Sequence, residues 1–170
     1  MVGGDYVGTG DIVMTVIDPS LGFATGGGWY TMPGGTDRVN FGFEVKATVN
    51  KNKTVYKGSL LVIRHMGTDI IKVKSNVFDL YAITTADGCG IVTFSGKATY
   101  STNGVSSDSY AYNAYAADCG TPGTGLDKFG LYLALAGNNV ATSTTVAGLR
   151  ASAVPLSGGN IQVPHPQGGK

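Results

Sequence analysis

Hydrophobic residues recur at every second position along most of this chain, while the three- and four-residue spacing of an amphipathic helix is almost absent. Residues 41–49 are the clearest case: Phe41, Phe43, Val45, Ala47 and Val49 fall on one side, and Glu44, Lys46 and Thr48 on the other. Only an extended strand, whose side chains alternate between faces, sorts these residues into an apolar and a polar surface. The same alternation places Ile12, Met14 and Val16 together in 11–17, and sets Ile71 and Val73 against Lys72 and Lys74 in 70–74. Further strands are predicted at 55–64, 77–84, 91–100, 110–117 and 128–135, the last with Phe129, Leu131, Leu133 and Leu135 inward. Turn chemistry separates them at 50–53, 66–69, Asp87-Gly88, Asn103-Gly104, 137–139 and 158–160. Asn-Gly and Asp-Gly pairs supply the positive φ that tight hairpins demand. Only 141–153 could hold a helical turn, and its β-branched residues limit its length. The expected fold is all-β: an antiparallel β-sandwich or jelly-roll-like barrel in a single domain.

The composition is consistent with this and excludes several partners. A chain of 170 residues supports one domain with a sizeable core. Ten of its 11 acidic residues are Asp, which favours turns, and Glu44 is the exception. Charged residues make up 14% and the net charge is +1, so neither a basic stripe for nucleic acid nor a polybasic patch for anionic lipid is expected. No apolar run approaches the roughly eighteen residues of a membrane-spanning helix. The first ten residues lack the basic and apolar regions of an intact signal peptide, leaving a cytosolic protein or a mature secreted chain. Residues 1–22 read as an extension with one strand, 23–163 as the β domain, and 164–170, with two prolines, as a flexible tail.

The two cysteines bear on that choice. If the strands at 91 and 110 form a hairpin in which paired residue numbers sum to about 209, Cys89 faces position 119 or 120. Cys89 and Cys119 would then form a disulfide at the hairpin's open base, closing about thirty residues and placing the protein outside the cytosol. The alternative is two buried thiols packed as small hydrophobes.

Catalysis finds little support. Asp79 and Asp87 make no evident acid–base pair, His65 follows a strand without a nucleophile elbow, and no enzyme is expected. Three non-catalytic sites stand out. The loop from Asp118 to Asp127 has carboxylates at both ends and flexible carbonyls between, a pattern that suits calcium or, alternatively, a long polar turn. Trp29 with Tyr110 and Tyr112 could form an aromatic platform for polysaccharide, although strand aromatics also fill cores. Finally, the Gly-flanked strand carrying Ile12, Met14 and Val16 could add to a neighbour's sheet, or pair within its own. Lys72, Lys74 and Glu44 would guard other surfaces against unwanted pairing, and the sequon Asn52-Lys53-Thr54 lies in an exposed turn.

Three segments carry a resemblance. They are Thr25-Gly26-Gly27-Gly28-Trp29 with Asn40-Phe41-Gly42-Phe43; residues 98–112 running into Ala117-Asp118-Cys119-Gly120-Thr121-Pro122-Gly123 and Asp127-Lys128-Phe129; and Leu156-Ser157-Gly158-Gly159-Asn160-Ile161-Gln162-Val163. In this order and spacing the chain resembles the post-COAP type β domain of large secreted and cell-surface proteins of bacteria and archaea. The resemblance implies an extracellular, non-catalytic module in surface assembly or adhesion, and supplies no catalytic residues. The strand at 11–17 lies outside it, and the domain stands alone here. The function expected is therefore a secreted structural or adhesive surface module, a filament subunit built by strand donation, with self-association or other surface proteins as partners. A carbohydrate-binding module is the alternative.

Overall fold

The computed structural model describes residues 23–120, 124–135 and 137–163; the strand expected at 11–17, with Ile12, Met14 and Val16, and the tail at 164–170 lie outside the described residues. The described chain is almost entirely antiparallel sheet. Seven strands follow one another as a meander: β1 (Phe23–Thr31), β2 (Arg38–Asn50), β3 (Lys53–Met66), β4 (Asp69–Ala86), β5 (Cys89–Thr102), β6 (Val105–Asp118) and β7 (Lys128–Leu133). A single helical turn, α1 (Leu149–Ser152), precedes β8 (Val154–Pro155) and β9 (Gly158–Gln162). The order across the sheet is β8-β7-β6-β5-β4-β3-β2-β1-β9. The expected all-β, antiparallel, single-domain fold is thus one continuous sheet curled into a half-barrel, whose inner face packs on itself.

The hairpins follow from their turn residues. Lys51 and Asn52, Asp87 and Gly88, and Asn103 and Gly104 all have positive φ, as two-residue turns that match the twist of the flanking strands require. The interior is aromatic: Phe41 of β2 stacks on Phe129 of β7 at 4.2 Å between ring centroids, and Phe43 lies 5.2 Å from Phe94 of β5. Strands distant in sequence order therefore meet across the curled sheet. A second, outer cluster forms where Leu149 of α1 covers Ile91, Tyr115 and Ala117.

Two sequence expectations are corrected. Residues 70–74 and 77–84 are parts of one 18-residue strand, β4, because the break between them is a pair of bulges rather than a turn. Gly158-Gly159-Asn160, expected as a turn, opens strand β9 and pairs with Trp29, Gly28 and Gly27 of β1. Here glycines mark close backbone approach: a Cβ on Gly28 would stand 2.2 Å from the Gly158 carbonyl oxygen.

The cysteines do form a disulfide. The β5–β6 register pairs Gly90 with Asp118, which puts Cys89 opposite Cys119, and the bond spans a Cα–Cα distance of 4.3 Å. Closing a loop with a sequence separation of 30 contributes about 3–4 kcal/mol by the chain-entropy model. Reduction, or Cys89→Ser with Cys119→Ser, is expected to lower the unfolding free energy by that amount in urea titrations.

Candidate functional site

The last strand holds the two sides of the sheet together. Val154 and Pro155 pair with Phe129 and Lys128 of β7, and after Leu156 and Ser157 the chain pairs with β1. Just before β7 begins, side chains replace main-chain acceptors. Asp127 is 0% exposed, and its Oδ1 and Oδ2 accept the backbone N–H groups of Cys119 and Ile161, each at 2.8 Å. Its own carbonyl accepts the Leu156 N–H at 2.9 Å, and Asp118 Oδ2 accepts the Val163 N–H at 3.0 Å. Burial pushes the Asp127 carboxyl above its usual value, against the downward pull of the amides of Cys119, Ile161 and Gly120. The two residues expected to hold calcium are thus brought together, and their described bonds close the sheet. Among the described residues no group of three or more His, Cys, Asp or Glu gathers at one point.

The expected aromatic platform divides between two faces. Tyr112 is 1% exposed inside the curled sheet, 6.3 Å from Phe94, and Tyr110 packs against the same core. Their shared face is the inner one, so neither serves a surface ligand. Alternation fixes that two residues share a face, not which face it is. Trp29 does lie outside, opposite Asn40 of β2. Its indole rests on Gly158, whose added Cβ would stand 2.5 Å from Nε1, and the Arg38 guanidinium lies over the ring, 4.3 Å from its centroid. Beside it opens a cleft of about 460 Å³, lined by Trp29, Asn40, Leu61 and Ile63 with Gly28, Gly42 and Gly159. A Cβ on Gly42 would meet nothing nearer than 4.0 Å, and one on Gly27 nothing nearer than 3.6 Å. Packing does not require glycine at these two positions, and its effect is to leave bare backbone on the outer face.

A third feature interrupts the sheet itself. β3 and β4 pair only from Leu61–Lys74 to Met66–Asp69, and beyond that register the two strands diverge. The cause lies in β4, where pairing with β5 skips Asn76 and Asp79. Two bulges within four residues bend a strand sharply. Gly96 of β5 makes room for them, because a Cβ there would stand 2.0 Å from the Val77 carbonyl oxygen. Bulge and base are anchored by side chains: the Leu60 N–H donates to Ser75 Oγ at 2.8 Å, and Asn76 Nδ2 donates to Thr99 Oγ1 at 2.7 Å. The resulting cleft, about 330 Å³, is lined by Tyr56, Gly58, Ser59, Asn76, Val77 and Phe78 among others. Phe78 stacks on Phe94 at 5.6 Å, so the cleft opens onto the aromatic core, and Val77 is 46% exposed at its lip. No sequence signal announced this opening beyond the break in alternation at Ser75 and Asn76.

In comparisons with known proteins, no family model matches this chain, and no curated protein or solved structure matches it significantly. Three Gly- and Asp-rich segments, at 25–43, 98–129 and 156–163, lie apart in sequence. The first and third lie side by side, since β1 pairs with β9, and in the second Asp127 binds Ile161 of β9 and Asp118 binds Val163 just after it. The disulfide fits an oxidising compartment, and among the described residues no helix is long and apolar enough to cross a membrane.

Proposed function

We propose that the protein is an extracellular structural or adhesive surface module that assembles by β-strand donation, in keeping with the resemblance to the post-COAP type β domain. The observation that supports this reading is the divergence of β3 and β4. Over residues 75–86, β4 has β5 on one side and no described strand on the other. Main-chain pairing to such an edge provides affinity, and pockets for alternate side chains provide selectivity. The donor is the segment carrying Ile12, Met14 and Val16, whose apolar face would lie over Phe78 while its backbone pairs with β4. Seven extended residues span about 23 Å, enough to line most of that edge. The donor of one copy fills the cleft of the next, so the module propagates head to tail.

Deleting residues 1–22 tests the reading. The full chain is expected to form filaments or rings in negative-stain images, and the truncated chain to stay monomeric while still melting cooperatively. A full chain that remains monomeric across a wide concentration range would contradict it. A second reading, non-catalytic saccharide binding, is favoured by the cleft beside Trp29, with its outward indole and bare glycine floor. It is compatible with an adhesive module. No catalytic role is proposed for any residue.

A further inference from the structure

We infer that the cleft beside Trp29 takes an acidic saccharide, one bearing carboxylate or sulfate groups, laid across β1 to β4; this rests on the saccharide reading above. The register gives the outer face a defined order. Trp29, Asn40, Ile63 and Lys72 are successive cross-strand partners, and Gly27, Gly42, Leu61 and Lys74 form the adjoining row. Directly opposed residues share a face, so the first row runs from the indole over Asn40 and Ile63 to the exposed Lys72, and the second over the bare backbone of Gly27 and Gly42 and over Leu61 to the exposed Lys74. At the other end stands Arg38, exposed and stacked on the indole. Among the described residues Arg38, Lys72 and Lys74 have no carboxylate partner, whereas Arg64 is paired with Asp37. The chain as a whole carries a net charge of only +1, so these three cations, against the one exposed carboxylate of Glu44 on the next row, make the described part of this face locally positive.

Each part recognises one feature of such a ligand. The Asn40 amide can donate to and accept from hydroxyls, the bare backbone of Gly27 and Gly42 lets a flat chain approach closely, and the indole, seated on Gly158, carries Arg38 on its ring and so reports on whatever Arg38 binds. Arg38 presents a planar fork that matches a carboxylate bidentately, and its stacking on Trp29 holds it in place before the ligand arrives. Lys72 and Lys74 stand on the fourth strand, about 14 Å from β1 at the usual strand spacing, a separation that suits an extended oligomer rather than a monosaccharide. A single-stranded nucleic acid is the less fitting polyanion, because it is held by stacking successive bases on several aromatics and Trp29 is the one indole in the chain.

That solitary tryptophan gives the readout. Emission would be followed during titration with oligomers of a uronic acid, a sulfated oligosaccharide, a neutral gluco-oligosaccharide of equal length and single-stranded DNA. At least one acidic sugar is expected to shift the emission saturably, with about tenfold or greater preference over the neutral oligomer and weakening as salt is raised. Arg38→Gln, at an exposed position, should weaken the acidic ligand about tenfold without changing the melting temperature, and Lys72→Gln with Lys74→Gln should weaken it several-fold. Neutral and acidic oligomers binding equally, with Arg38→Gln silent, would overturn the acidic assignment and leave the saccharide reading standing. No response to any sugar would overturn both, as would tighter binding of DNA.

Discussion

Replacing Asp127 by alanine is expected to lower the unfolding free energy by about 2–4 kcal/mol, since the buried Ile161 N–H loses its acceptor at about 1–3 kcal/mol and the part-buried Cys119 N–H loses its own at about 1 kcal/mol. Those donors, on Cys119 and Ile161, belong to the β6–β7 connection and to β9, so the loss falls on the closure of the sheet. The last strand should exchange its amide protons faster than β4 or β5, a local loosening that hydrogen exchange resolves from global unfolding. Asp127→Asn keeps one oxygen and should cost about half as much. The pH dependence has a definite sign. Because burial raises the folded-state pKa of Asp127 above its unfolded value, the group contributes stability that is fully present below the unfolded value, about 3.9, and is lost as pH rises through the folded value. The stability gap between the native protein and Asp127→Asn should therefore be wider at about pH 4 than at about pH 7. A gap that narrows on acidification would mean that amide bonding outweighs burial.

Gly96→Ala carries the second large effect. Its Cβ would lie 2.0 Å from the Val77 carbonyl oxygen and 3.1 Å from the Phe78 Cα, both backbone atoms that cannot rotate away. Overpacking of this kind typically costs about 1–3 kcal/mol, and the contact here lies at or above the upper end. The adjustment must also pass through the bulges that part β4 from β3, so assembly should weaken together with stability. Gly42→Ala is the control. There a Cβ meets only the Gly26 carbonyl, at 4.0 Å, and the change in stability should stay within about 0.5 kcal/mol. Comparable losses at both positions, read from urea titrations, would show that glycine is needed for some reason other than room for the bulge.

Much of the architecture was legible because local chemistry decides it. Asp87-Gly88 and Asn103-Gly104 fix hairpins, and one hairpin's register carried Cys89 to Cys119. β1 and β9 were harder to read because they meet through glycines, at Gly28 against Gly159 and Trp29 against Gly158, where backbones touch and no alternating side chains remain. β4 read as two strands because each bulge shifts the inward phase, so Val73, Phe78 and Ile83 obey no single period of two. Tyr110 and Tyr112 were placed on the right common face with a ligand role and a core role both open, since periodicity has no sense of inside and outside for an amphipathic side chain. The roles of Asp118 and Asp127 could not be found locally at all: their partners, Val163 and Ile161, are 45 and 34 residues away.

Strand donation is tested most directly by asking where residue 15 goes. Two versions of the full chain, one with Thr15→Cys, on the donor face opposite Met14 and Val16, and a mass tag, and the other with the outward Val77→Cys and no tag, would be mixed and treated with a short thiol–thiol crosslinker. Donation between copies predicts a crosslinked product containing one tagged and one untagged chain, and its loss when chain without either substitution is added in excess. A chain carrying both substitutions that crosslinks only to itself, with no mixed product at any concentration, would show the segment completing its own sheet and would contradict assembly by strand donation.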